Sequence, residues 1–332
     1  MLSAPEFPRL LGDIGGTHAR FAWQASPGAD LTHVRSLAGH EDPTIGDAIT
    51  RWIAQGPRQA PRAACLGVAT AVTGDHVVMT NHPWQFSIQA LREQLGLSRL
   101  LVINDFTALA LAIPDIPPQH LRQVGGGAAD PDAPKALIGP GTGLGVSGLM
   151  PSGAGFVPIA GEGGHVSLSA RTDMEWAVIA QLARLHGHVS AERVLSGPGL
   201  VGLYLALCHV KGWSPQAAPD PADITRRALS GQDAQCAAAV AMFFDFLGTV
   251  AGDLALTLGA RGGVYIGGGV VPRMADAFEA SGFRRRFEDK GRFAGYLSEV
   301  PVWLIEAPDS PALWGAARAL DQARSDQSPA RD

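Results

Sequence analysis

Between Leu100 and Pro114 the chain reads LLVINDFTALALAIP, so that Asn104 and Asp105 put an amide and a carboxylate inside an otherwise apolar run. LLVI has the aliphatic composition of a short buried parallel strand. FTALALAI favours helix, and Pro114 stops it. Asn104 and Asp105 therefore stand at a strand-to-helix junction, where two kinds of chemistry are open. Both residue types cap helices, and a carboxylate there complements the helix dipole. The same place, at the carboxyl end of a parallel strand, is where α/β folds put their ligands.

Glycine supplies the second set of candidates. Five clusters stand out: GDIGGT (12–17), GPGTGLGVSG (139–148), GEGGH (161–165), SGPG (196–199) and GARGGVYIGGG (259–269). Glycine turns let the backbone approach a phosphate, and successive N–H groups then cradle it. The first two clusters share a form: an apolar run, a glycine turn with Thr17 or Thr142, then another apolar run. Each reads as a β-hairpin whose turn presents amides and a hydroxyl. Two such hairpins, one in each half, imply two similarly built domains facing a shared phosphate. Asp13 adds a carboxylate that could orient a metal ion through water, or bond its own turn as an Asx-turn. Two familiar phosphate patterns are excluded. There is no GxxxxGK[ST], and the GxGxxG at Gly143, Gly145 and Gly148 runs into Met150-Pro151-Ser152-Gly153 rather than a helix. Glu162 and His165 lie three apart in a glycine-rich turn, so both can face one ligand; a metal site or a self-satisfied turn are the alternatives. Glu192 follows Ser190 at an expected helix start, where it complements the dipole.

Apolar runs, PRLL, KALI and GVYI, precede the first, second and last clusters. Helical patterns occupy 47–54, 88–95, 173–185, 235–258 and 311–323. Strands alternating with helices imply α/β architecture with largely parallel sheets. The segment IPPQHLRQVGGGAADPDAP after Pro114 is rich in Pro and Gly, and suits a domain boundary or surface excursion. FRRRF (283–287), followed by Glu288 and Asp289, reads as a solvated face. The polar SDQSPARD from Ser325 onward is expected to be a disordered tail.

With 332 residues, 46% hydrophobic, the chain has enough apolar material for two domains. A net charge of -5 argues against nucleic acid as a partner. Cys65, Cys208 and Cys236 are far apart with no CxxC, which fits a reducing compartment. The N-terminus lacks a charged region followed by an apolar core, and no run of about 18 apolar residues suggests a membrane span. A soluble, cytoplasmic protein is expected.

Six motifs, in order, carry a resemblance: GDIGGTHARFAW, INDFTALALAIP, GPGTGLGVSGL, GEGGHVSLS, HVSAERVLSGPGL and GGVYIGGGVVPRM. Together they resemble the bacterial ATP-dependent glucokinases, the zinc-free branch of the actin-like sugar kinase and hexokinase superfamily. SPALWGAARAL resembles that family's C-terminal helix. The resemblance implies an α/β, two-domain actin-like ATPase (ribonuclease H-like) fold with an interdomain cleft. A small domain would take 1–115 plus 308–324, a large one 116–307, and the tail 325–332. It implies phosphorylation of the glucose 6-hydroxyl by ATP with Mg²⁺. Gly12, Asp13, Ile14, Gly15, Gly16 and Thr17 would form one phosphate element and Gly141, Thr142 and Gly143 the other. Gly267, Gly268 and Gly269 would bind adenosine. Mg²⁺ would be held mainly by ATP, with Asp13 reaching it through water. Asp105 would be general base, cap and base being one residue. Asn104, Asp105, Glu162, His165 and Glu192 would hold the sugar, with Asn81 of TNHPW as a further candidate by analogy with the ROK family. That family holds zinc with the matching His and nearby cysteines; none lies between Cys65 and Cys208, so no zinc site is expected. A homodimer is implied. His18 stands where the family often has Asn, and ATAV (69–72) where a Pro-containing segment is common.

Two other readings remain: a kinase of mannose, fructose or an N-acetylated amino sugar, and a sugar-sensing regulator. The regulator would need a DNA-binding module ahead of the first phosphate turn, and only eleven residues precede Gly12. Ligands drawn from both halves would require closure, with hinges after Pro114 and near Pro308.

Overall fold

The computed structural model describes residues 6–39, 41–80, 82–153, 155–215, 220–307 and 309–325. The chain forms two compact units, Met1–Pro117 with Ala307–Asp332, and Pro118–Glu306. Asn81, Pro308 and the tail beyond Ser325 lie outside the described residues, and so do the expectations placed on them.

The first unit runs β1 (Arg9–Ile14), β2 (His18–Gln24), β3 (Thr32–Ala38), α1 (Ile45–Gln55), β4 (Ala63–Val68), β5 (His76–Val78), β6 (Gln85–Ser87), α2 (Ile88–Gln94), β7 (Arg99–Asn104) and α3 (Asp105–Ala112). Its main sheet has the order β3-β2-β1-β4-β7. β2 is antiparallel to both neighbours, whereas β1, β4 and β7 are parallel. Every residue of β4, AACLGV, is buried, as a strand covered on both faces requires. Register aligns the last residues of the three parallel strands: Ile14 with Val68, and Val68 with Asn104. The glycine turn after β1 and the carboxylate after β7 thus leave one edge of one sheet.

The second unit runs β8 (Leu121–Gln123), β9 (Lys135–Pro140), β10 (Leu144–Ser152), β11 (Gly155–Ile159), α4 (Asp173–His186), α5 (Gly197–Lys211), α6 (Pro221–Leu229), α7 (Ala234–Leu258), β12 (Val264–Ile266), α8 (Ala275–Glu279), α9 (Phe283–Glu288), α10 (Ala294–Ser298) and β13 (Val302–Ile305). The sheet order is β11-β10-β9-β12-β13-β8. Its first five strands repeat the pattern of the first unit, with β9, β12 and β13 parallel and the hairpin strands antiparallel. The Pro- and Gly-rich stretch after Pro114 is not wholly an excursion, because β8 pairs with β13.

α7 has 25 residues and is long and apolar enough to cross a membrane by length and composition. Asp245 and Asp253 interrupt it, so no unbroken run of about 18 apolar residues occurs, and 67% of its most apolar window is buried. Its Phe243, Phe244, Phe246 and Leu247 are buried in the unit's core, where α7 packs on α5, α6 and α9.

The FRRRF stretch is corrected by α9. Phe283 and Phe287 are fully buried, and Arg286, on their face at helical spacing, is only 4% exposed. The Arg286 guanidinium donates to Thr249 Oγ1 at 2.9 Å and lies 3.0 Å from Glu175 Oε1. Arg284 donates to the carbonyl oxygens of Val300, Leu297 and Ser298. Arg285 alone of the three is mostly exposed, at 71%.

The chain returns to the first unit as α11 (Ala312–Ser325), which packs on α3. A Cβ on Gly315 would lie 1.7 Å from the carbonyl oxygen of Ala108, so the two helix backbones meet where only glycine fits. Arg318 of the same helix bridges both oxygens of Asp115, at the end of the first stretch of that unit.

Candidate active site

In the first unit, the Gly15 N–H donates to the His18 carbonyl at 2.9 Å and closes the β1–β2 hairpin over Gly16 and Thr17. The Thr17 carbonyl accepts from the Gly39 N–H at 3.0 Å, and its hydroxyl lies 2.9 Å from His18 Nδ1. Thr17 and His18 are exposed; Gly12 and Ile14 are buried strand residues, so only their backbone could serve a ligand. Asp13 lies in β1 rather than in the turn and makes no Asx-turn. Its Oδ2 accepts from the Ser310 hydroxyl at 2.6 Å and lies 3.5 Å from the guanidinium of Arg20, its cross-strand partner.

The junction after β7 divides two duties that the sequence reading gave to one residue. Asn104 is extended, with φ -63 and ψ 146, and is the cap: its Oδ1 accepts from the N–H groups of Phe106 and Thr107 at 2.9 and 3.2 Å. Its amide Nδ2 donates to the Thr70 carbonyl at 3.4 Å. Asp105 is the first helical residue and accepts from the Phe106 N–H at 2.9 Å. It sits half-buried in the first turn, at the positive end of the helix dipole.

The second unit gathers its candidates at the end of β9 and the start of β10. The Gly141 N–H donates to the Gly143 carbonyl at 2.8 Å, and the Gly197 N–H to the Gly141 carbonyl at 2.8 Å, leaving Thr142 exposed at the tip. Glu192 Oε2 accepts from the Leu144 N–H at 2.8 Å, which ties the 3-10 turn Ala191–Arg193 to the glycine turn. Ser190 caps that turn by accepting from the Arg193 N–H. Glu162 precedes and His165 ends the adjacent 3-10 turn Gly163–His165; both are exposed, and the turn packs against Leu144 and Val146 of β10. The triple glycine follows β12. Gly267 donates to Ile138, and Val270 to Pro140, so the loop lies along the end of β9. Gly268 has φ +77, and a Cβ there would lie 2.3 Å from the Pro140 oxygen.

Thr142, Glu162, His165, Glu192 and Gly267 to Gly269 are thus brought to one end of the second sheet. Asp13, Gly15 to Thr17, Asn104 and Asp105 are brought to one edge of the first. Sequence reasoning missed Ser310, Thr70 and Gly197. Each contributes through an isolated hydroxyl or backbone group, although all three lie in stretches that stood out: Ser310 opens the SPALWGAARAL motif, Gly197 is within SGPG and Thr70 within ATAV. Among the described residues no group of three or more His, Cys, Asp or Glu could hold a metal ion. The three cysteines are buried free thiols, and burial pushes Cys65 and Cys236 up to about 12, which suppresses thiolate chemistry.

The Glucokinase family model matches residues 10–323. A glucokinase of Aromatoleum aromaticum is 52% identical over 318 residues, covering 96% of each chain. One from Chromobacterium violaceum is 52% identical over 327 residues, covering 97% of this chain and 93% of the relative. The crystal structure of a glucokinase from an Antarctic psychrotroph superposes with a TM-score of 0.85 at 36% identity, covering 95% of this chain and 99% of that one. Matches of this extent make the chain a member of the glucokinase family, with the two-domain actin-like sugar kinase fold.

Proposed function

We propose that the chain transfers the γ-phosphoryl group of ATP to the 6-hydroxyl of D-glucose, giving glucose 6-phosphate and ADP. The observation that carries this reading is the shared register of Ile14, Val68 and Asn104. It sets a carboxylate acceptor, Asp105, at the same end of the sheet as the glycine turn with its exposed Thr17 hydroxyl. Phosphoryl transfer has a loose transition state, so positioning and charge neutralisation do most of the work. Asp105 would orient the hydroxyl and take its proton as the oxygen–phosphorus bond forms and the bond to ADP breaks. Asn104, whose Nδ2 carries a second N–H besides the one given to Thr70, would donate to the sugar, and Glu162, His165 and Glu192 would bind further hydroxyls. Gly15, Gly16 and Thr17 would bind phosphate with Gly141, Thr142 and Gly143, beside an adenosine site at Gly267, Gly268 and Gly269. Asn81 is a further sugar candidate.

Magnesium enters as MgATP, a substrate, and neutralises the β- and γ-phosphate oxygens. Asp13 offers it a hard oxygen donor through water. The reading draws its ligands from both units. Three free thiols support a reducing, cytoplasmic setting; a role at the entry of glucose into glycolysis and a homodimer rest on the family alone. A coupled assay with ATP and a panel of glucose, mannose, fructose and N-acetylglucosamine tests the assignment. Glucose should have the highest kcat/KM, and a clear preference for another hexose would replace it.

A further inference from the structure

Ser310 uses its hydroxyl in an unusual way for a residue just ahead of a helix. Thr44, Ser87, Thr172 and Ser196 precede α1, α2, α4 and α5, and each accepts from a backbone N–H in the first turn of its helix. That is the ordinary capping use. Ser310, before α11, instead donates to Oδ2 of Asp13 at 2.6 Å, across 297 positions of sequence. Asp13 is 14% exposed, and the other group on Oδ2 is the guanidinium of Arg20, 3.5 Å away and itself 49% exposed. Arg20 is therefore a loose, solvent-screened partner, whereas Ser310 is a short, directed one. With Oδ2 engaged from both, Oδ1 has no partner among the described residues.

We propose that Ser310 is a positioning residue of the phosphate site: it fixes the Asp13 carboxylate so that Oδ1 is presented to the magnesium-bound water of MgATP. The inference rests on the reading of Asp13 given above. It also couples two things that the fold places together, because Ser310 lies three residues after Ala307, where the chain re-enters the first unit. A hydroxyl on that return segment holds the carboxylate.

The test is a set of full-length variants, S310A, S310T, D13A and the double variant S310A/D13A, assayed for rate against MgATP, free Mg²⁺ and glucose. Removing a hydrogen bond to a charged group predicts a rise of about 5- to 20-fold in the KM for MgATP and in the Mg²⁺ needed for half-maximal rate. The KM for glucose should stay within about twofold. S310T, which keeps the hydroxyl, should restore the MgATP dependence. In the D13A background S310A should add nothing further. A merely structural serine would lower the melting temperature and leave the Mg²⁺ dependence alone. A wild-type Mg²⁺ dependence in S310A while D13A is impaired overturns the role of Ser310 and leaves that of Asp13 standing. An S310A effect that persists undiminished in D13A also overturns it. A wild-type Mg²⁺ dependence in D13A removes the reading of Asp13 and the proposal with it.

Discussion

Gly315→Ala places the largest consequence on the smallest change. Alanine is a better helix former than glycine by about 1 kcal/mol, so in open space the substitution would stabilise α11. Here the new Cβ would lie 1.7 Å from the Ala108 carbonyl oxygen, 2.7 Å from its carbon and 3.0 Å from the Ala112 nitrogen. These are backbone atoms of α3, which cannot rotate away. To restore even a 3.0 Å contact the helices must separate by about 1.3 Å. Overpacking costs about 1–3 kcal/mol, and a clash with fixed backbone lies toward the upper end, so about 1–2 kcal/mol of destabilisation remains after the propensity gain. The melting temperature should fall by about 2–8 °C. The displacement also falls on the helix whose first residue is Asp105, one turn before Ala108. A shift of about 1 Å in a reacting group can lower turnover about 100-fold, so kcat should fall about 10- to 100-fold. Gly295→Ala in α10 is the control, because a Cβ there has nothing within 4 Å; it should melt at or above the wild-type temperature. Melting by circular dichroism and steady-state kinetics on both variants decide the matter. A Gly315→Ala variant with wild-type melting and turnover would refute the claim that this contact sets the position of α3.

Asp105→Ala should fold and lose about 10²–10⁴ in turnover, with weaker glucose binding; more than half of wild-type turnover would exclude it as the base. Glu175→Ala removes the carboxylate that accepts from the Arg171 and Thr172 N–H groups and faces buried Arg286. Leaving that guanidinium uncompensated should cost about 3–5 kcal/mol in urea unfolding, and a loss below about 1 kcal/mol would show that the pair does not bind α4 to α9. Saturating glucose alone should reduce the radius of gyration measured by small-angle scattering, since the proposed ligands come from two units. Unchanged profiles would leave a site formed without closure.

Much of this was legible because it is local. The helical patterns at 88–95, 173–185, 235–258 and 311–323 match α2, α4, α7 and α11 within about two residues, since apolar spacing and caps such as Thr172 are read along the chain. Both glycine hairpins were legible from apolar run, glycine and apolar run. What escaped is either ambiguous locally or distant in sequence. SGPG stood out only as a glycine cluster, yet Ser196 is the cap and Gly197-Pro198-Gly199 the first turn of α5, where proline is tolerated. The arginines of FRRRF look solvated until Phe283 and Phe287 fix the buried face of α9. The partner of Asp13 lies at the far end of the chain, where no periodicity could point to it.

The repeated topology bears on why one of two similar positions suits the proposed base and the other does not. β7 and β13 occupy corresponding places, each third in its parallel run, β1-β4-β7 or β9-β12-β13, counted from the hairpin, and each is followed at once by an acid, Asp105 or Glu306. In the first sheet β7 is the edge strand, so the chain beyond it is free to turn into a helix. Asn104 takes the capping duty, and the next carboxylate is held at the dipole's positive end. In the second sheet β8 pairs outside β13. The Glu306 N–H donates to the His120 carbonyl at 2.8 Å, and its carboxylate accepts from Arg122 at 2.9 Å. The same position is therefore tied down by the added strand, with its charge already neutralised. On the proposed reading, the carboxylate at the end of β7 is available for chemistry because the sheet ends beside it and a separate residue caps the helix, whereas the one at the end of β13, with another strand added, is a brace.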